Sequence, residues 1–323
     1  MAGGSLTRLW LALAAAYNVA LGAWIVVWPN AFFELMSLAP PRYPGIWQCL
    51  GMVLGLYGLL YAYASLHPDR ARPIVVVGLL GKVLGPIGWI VTVSTGELPV
   101  RTFPLIVFDD LVWWVPFGLI LIDGSAIARL IRDRAPSICG ALNLIGVIGL
   151  VLFLQPGVDP ARDLAARAAY IGEHLGAWRS GWLIWMAAAL SLLGLIAWWS
   201  ARLRPGRLVA VALALAIAGV AVDIATDSLY VSWLPERAEL MPALSVVSAT
   251  IANGLYTVAG ALLTLRTTSL AGWMLIWTWG VWSAGALLAL GGMLASGPLT
   301  VAGTVLLFAL FCPWCFVVAP RLR

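Results

Sequence analysis

Two pairs of aspartates stand inside stretches that are otherwise apolar. Residues 108–117 read FDDLVWWVPF, with Asp109 and Asp110 adjacent; residues 221–233 read AVDIATDSLYVSW, with Asp223 and Asp227 four apart. Carboxyl groups in such surroundings can carry a proton, hold a cation or meet a charged group of a substrate. An aspartate at the centre of a lipid-spanning helix costs roughly 2.5–3.5 kcal/mol, and each Phe, Leu, Ile or Val returns about 0.3–0.6. With two aspartates against thirteen such residues at 103–122, the segment is marginal alone and needs neighbours. Adjacent residues on an ideal helix point about 100° apart. Asp109 and Asp110 are therefore expected to face different surroundings, one of them another helix, a wet cavity or a proton.

A cation is close in sequence. Lys82 sits in GLLGKVLGPIGW, mid-way along the preceding apolar segment. At 1.5 Å per residue its depth differs from that of Asp109 by roughly 6–7 Å, which a snorkelling lysine spans. Gly81, Gly85 and Gly88 allow close helix approach, and Pro86 frees a carbonyl. The trio reads either as a proton or substrate relay or as an ion pair that fixes helix packing.

Asp223 and Asp227 share a helix face, with Tyr230 three residues on. Two carboxylates with a third ligand, drawn from Glu173, His174 or Asn253, could hold a divalent cation; the alternative is a hydrogen-bonded polar seam. Asn18, Asn143 and Asn253 also fall inside apolar segments and are expected to hydrogen-bond between helices. The candidate network is thus Lys82, Asp109, Asp110, Asp223, Asp227 and Asn253. Trp113, Trp114 and Tyr230 are candidate aromatics of a pocket for a hydrophobic ligand such as a quinone, isoprenoid, pigment or lipid tail, and Trp277 and Trp279 also lie inside their segments.

The elements that must position these groups follow from composition. The chain has 323 residues, 62% hydrophobic and only 10% charged, where soluble domains run near a quarter charged. Too few polar residues exist to coat a soluble surface, so the solvent is lipid and the fold all-α. The net charge of +5 is then no sign of nucleic acid. Ten spans are expected, at 9–28, 46–65, 73–93, 103–122, 137–154, 180–199, 208–229, 243–265, 270–295 and 298–318.

Counting the two termini and the even-numbered loops as one side gives twelve arginines there, Arg321 and Arg323 included, against six on the other. Arginine-rich loops stay in the cytoplasm, which is expected to place both termini on the cytoplasmic side of a bacterial inner membrane. The polar stretch DGSAIARLIRDRAP divides the chain into a four-span module at 1–123, a basic linker at 124–136 and a six-span module at 137–323. The loop at 155–179 reads as an amphipathic helix on the outer surface.

YNVALGAWIVVWPNAFF, YPGIWQCLGMVLGLYGLLYA, PIVVVGLLGKVLGPIGW and FDDLVWWVPF together make residues 5–123 resemble small four-helix bacterial membrane proteins, similar in layout to the DoxX-like superfamily. EHLGAWRSGWLIWMAAALSLL and ANGLYTVAGALLTL resemble a second multi-span bacterial membrane family. The two resemblances imply a fusion of two modules and assign no functional residues.

The chain's one CxxC pair, Cys312 and Cys315 in CPWC, falls near the cytoplasmic end of its span. There it reads as packing rather than as a thiol–disulfide or zinc centre. No Walker loop, GxSxG or HExxH is present. His67 and His174 lie in or near loops, which leaves no histidine pair for haem between spans. Three function classes remain. The chain binds or translocates a small hydrophobic or amphipathic molecule or a proton; or it is an enzyme acting on a lipid or isoprenoid; or it is a non-catalytic subunit docking with a membrane-protein partner. Membrane lipids are its surroundings in each.

Overall fold

The structure, a computed structural model, describes residues 2–322, with positions 2–6 and 126 described by backbone alone. Arg323, one of the twelve arginines counted above, lies outside the described residues. Among the described residues ten helices are long and apolar enough to cross a membrane. They are α1 (Thr7–Val27), α2 (Pro44–Leu66), α3 (Pro68–Ser94), α4 (Val100–Leu121), α5 (Ala135–Val158), α6 (Leu175–Ser200), α7 (Arg207–Ser232), α8 (Ala238–Arg266), α9 (Trp273–Met293) and α10 (Gly297–Val317). Helix is what lipid demands, because every backbone N–H and C=O must then be satisfied within the segment. Proline stands in the first turn of several helices, where its missing N–H costs no bond, as at Pro44, Pro136 and Pro298.

Three spans are not α-helical throughout. Val107–Leu111 in α4, Leu150–Leu154 in α5 and Val247–Ala252 in α8 are π-helical turns. Such turns are rare and cluster at functional sites; each of these three borders a polar or cavity-lining group described below.

The chain forms two compact units, Met1–Arg129 and Leu130–Arg323, divided within the basic linker. In the first, α1 packs along α2 through glycine. A Cβ at Gly22 would lie 2.5 Å from the Gly51 carbonyl oxygen, so only hydrogen fits there. Helix α3 packs on α4. Leu11, Ala14, Tyr61, Val75 and Phe117 form the buried core between them.

The second unit is a closed ring of six helices. Each of α5 to α10 packs against the next in sequence, and α10 returns to α5. Towards one end α5 and α10 touch: a Cβ at Gly140 would lie 2.8 Å from the Cys315 Cβ. Cys139, Cys312 and Cys315 are buried free thiols at this contact. Before α6, the stretch expected as one surface helix over 155–179 is broken up. Gln155–Val158 completes α5, a short helix runs Leu164–Glu173, and Leu175 already begins α6. Asp163 caps the short helix, its carboxylate accepting from the Ala166 N–H at 2.7 Å.

Candidate functional site

In the first unit the three expected charges meet. Lys82 Nζ donates to Asp109 Oδ1 at 3.0 Å and lies 3.9 Å from Asp110 Oδ1. The expectation that the two adjacent acids face different surroundings is therefore overturned. They lie in the π turn Val107–Leu111, where the wider turn brings neighbouring side chains closer in direction than an α-helix does. Lys82 and Asp110 are almost fully buried, and Asp109 is slightly more open. One ammonium faces two carboxyl groups, so the trio is electrically balanced only when it also holds a proton or another cation. Gly85 makes the space: a Cβ there would fall within 2.4 Å of Asp110 Oδ2.

The two tryptophans after the acids play a different part from the one expected. Pro86 has no N–H to offer the carbonyl of Lys82, four residues back. The Trp114 indole N–H takes that carbonyl at 2.8 Å. The Trp113 indole N–H donates to the Phe108 carbonyl at 2.9 Å, beside the π turn. Trp114 keeps 40% of its surface exposed, while Trp113 is buried against the Tyr17 ring at 5.7 Å. Each thus donates to a backbone carbonyl in or beside an irregular turn, and neither lines the cavity described next.

That cavity, of about 690 Å³, lies inside the six-helix ring of the second unit. Trp182, Trp185, Tyr230, Tyr256, Trp282, Phe308 and Phe311 contribute its rings. Helices α7 and α8 supply the polar lining around Asp223, and Asn143, Gln155, Thr300 and Thr304 add polar groups from α5 and α10. Asp223 Oδ1 accepts from the Ser248 hydroxyl at 2.9 Å, and Asp223 Oδ2 accepts from the Tyr256 hydroxyl at 3.2 Å. The Tyr230 hydroxyl pairs with Ser245 Oγ at 2.9 Å, and its ring stacks flat on Trp182 at 4.0 Å. Asn253 lines the cavity and donates to the Gly285 carbonyl on α9 at 2.8 Å. The π turn in α8 carries Ser248 and ends beside Asn253, and the π turn in α5 carries the lining residues Leu150, Val151 and Leu154.

Asp227 is fully buried, and neither of its oxygens has a hydrogen-bond partner among the described residues. It shares the α7 face with Asp223 without lining the cavity. At the mouth, Arg167 donates through Nε to the Gly157 carbonyl at 2.9 Å, and burial pushes its guanidinium below the usual arginine range. At the mouth end of the ring, Val151, Val301 and Val305 line the cavity while each exposes more than half its surface. The cavity thus reaches the apolar outer face of the ring between α5 and α10, opposite the Gly140–Cys315 contact.

His174 is exposed and stacks on Tyr170 at 4.4 Å, and Glu173 is exposed beside it. Among the described residues no three His, Cys, Asp or Glu side chains come together in a metal-holding group. The asparagines differ from one another. Asn18 donates to the Ala14 carbonyl of its own helix, not to a neighbour. Asn143 bonds the Cys139 carbonyl at 2.9 Å and reaches Ser191 on α6 at 3.4 Å. Trp277 donates to the Leu310 carbonyl, Trp279 is 38% exposed, and neither lines this cavity.

Sequence reasoning missed Tyr256, Ser245, Ser248, Trp182, Trp185, Trp282 and Arg167. A signal existed for the hydroxyls: Ser245, Ser248 and Tyr256 recur at helical spacing along one face with Asn253. No family model matches the chain, and no curated protein or solved structure matches it.

Proposed function

We propose that this is a multi-pass protein of the bacterial cytoplasmic membrane, both termini inside, that binds or translocates a small hydrophobic or amphipathic molecule within its second unit. The observation that carries the reading is the cavity. It is of ligand size, walled by aromatic and aliphatic side chains, supplied with a few convergent polar groups around Asp223, and continuous with the ring's apolar outer face beside Val151 and Val305. An apolar ligand reaches such a site from the bilayer without crossing water. The DoxX-like layout of residues 1–123 and the fusion of two modules belong to the same proposal.

A second reading rests on the first unit. Lys82, Asp109 and Asp110 place one cation against two buried acids, an arrangement that binds and releases a proton. The unit then supplies a proton relay alongside the ligand site.

Native mass spectrometry of the protein released from lipid nanodiscs, with elemental analysis of the same sample, tests the main reading. A stoichiometric small molecule supports it. A bare mass, or one carrying only a second protein, contradicts it and favours a structural subunit.

A further inference from the structure

We infer that the cavity of the second unit takes an amphipathic organic cation, with Asp223 as its counter-ion and the surrounding rings as its wall. The inference rests on the reading of that cavity as a ligand site and adds the chemical class of the ligand.

The charges around the cavity select the class. Three charged residues line it: Asp159, Arg167 and Asp223. Asp159 and Arg167 are at the mouth, where Asp159 has Arg162 at 3.9 Å and Arg167 donates to the Gly157 carbonyl. Asp223 lies deeper, nine residues before the end of α7, which is about 13 Å along the helix. Its partners are two neutral hydroxyls, Ser248 and Tyr256. A carboxylate accepts about four hydrogen bonds, so Asp223 keeps capacity on the cavity side. One turn away, outside the cavity lining, Asp227 is a second buried carboxyl, without a hydrogen-bond partner among the described residues. No lysine, arginine or histidine pairs with either acid among the described residues, whereas the acids of the first unit have Lys82. The deep end of the cavity is therefore an acid site to which no cation of the protein is paired among the described residues.

The walls fit the same class. Tyr256, which bonds Asp223, stands at this end, and Trp182, Tyr230 and Trp282 line the same cavity; ring faces attract ammonium-type cations, most strongly away from water. A neutral ligand of the same shape would leave Asp223 without a counter-charge in a low-dielectric wall, and an anion would be repelled by it. A cation with an apolar body answers both the charge and the walls.

The test compares three probes of similar bulk: tetraphenylphosphonium, triphenylphosphine oxide and tetraphenylborate. Each is titrated by equilibrium dialysis against the full chain in lipid nanodiscs, with empty nanodiscs subtracted. The expected result is saturable binding of the phosphonium, at least about ten-fold tighter than the oxide, and no saturable binding of the borate. Asp223→Asn is expected to weaken the phosphonium by about ten-fold or more while leaving the oxide unchanged. Equal binding of cation and oxide, unmoved by Asp223→Asn, overturns the cation while leaving the cavity a ligand site; so does a preference for the borate. No saturable binding of any probe overturns the cation together with the ligand site itself. Should Asp223→Asn fail to fold, the ranking of the three probes on the unsubstituted chain decides alone.

Discussion

The indole N–H of Trp114 on α4 bonds the carbonyl of Lys82 on α3 at 2.8 Å, the one carbonyl of that turn that Pro86 leaves without its helical donor. A proline defect in one span is thus closed by a side chain of the next. An unsatisfied carbonyl in such surroundings costs about 1–3 kcal/mol. Trp114→Phe is expected to lower stability by about that much. In a Pro86→Ala background, where the backbone N–H is restored, the same substitution should cost clearly less. A double-mutant cycle from reversible unfolding in mixed micelles reads the difference. Equal losses in both backgrounds would show that the bond carries nothing.

The charge trio makes a second prediction. Lys82→Met leaves Asp109 and Asp110 without their cation, and breaking a buried pair from one side costs about 3–5 kcal/mol. Adding Asp109→Leu should recover a large part, because the pair is then replaced by apolar groups of similar bulk. Unfolding midpoints of the single and double variants test this, and a double variant less stable than Lys82→Met would contradict it.

Two glycines in α3 offer a contrast only a few residues apart. At Gly85 a Cβ would meet Asp110 Oδ2 at 2.4 Å, whereas at Gly81 it would meet nothing within 4 Å. Gly85→Ala is expected to destabilise by about 1–3 kcal/mol through overpacking. Gly81→Ala should be neutral or stabilise by up to about 1 kcal/mol, alanine being the better helix former. The same unfolding assay measures both.

The fold was legible in the sequence to the level of span count and helix class, because twenty-residue apolar segments in a chain with few charges admit little else. Segment ends were legible to within a few residues. The partnership of Lys82 with Asp109 followed from depth and charge alone. What could not be read was the local helix type. Nothing in VFDDL or VSATIA marks a π turn, and that change of winding brings both Asp109 and Asp110 to Lys82 and shapes the α8 wall near Asp223. The cavity walls were illegible for a related reason. Trp182 and Trp114 look alike in a sequence, yet Trp182 lines the cavity of the second unit and Trp114, in the first, is 40% exposed.

The closed end of the six-helix ring carries a prediction of its own. Gly140 admits Cys315 so closely that a larger side chain must push α10 away, its Cβ alone falling 2.8 Å from the Cys315 Cβ. Gly140→Leu should raise the labelling rate of Cys315 by a membrane-permeant maleimide by about ten-fold or more, since a buried thiol reacts only after opening. The labelled cysteines are identified by peptide mass mapping. An unchanged rate would mean that α5 and α10 do not seal at this point.

The measurement that bears most directly on the proposed function is a cryo-electron microscopy map of the protein in native-lipid nanodiscs, at a resolution that shows side chains. The account predicts ordered density for one amphipathic molecule between Trp182, Trp282 and Asp223, its apolar body towards Val151 and Val305. A ring collapsed on itself, with these side chains filling the space of the cavity, would contradict it.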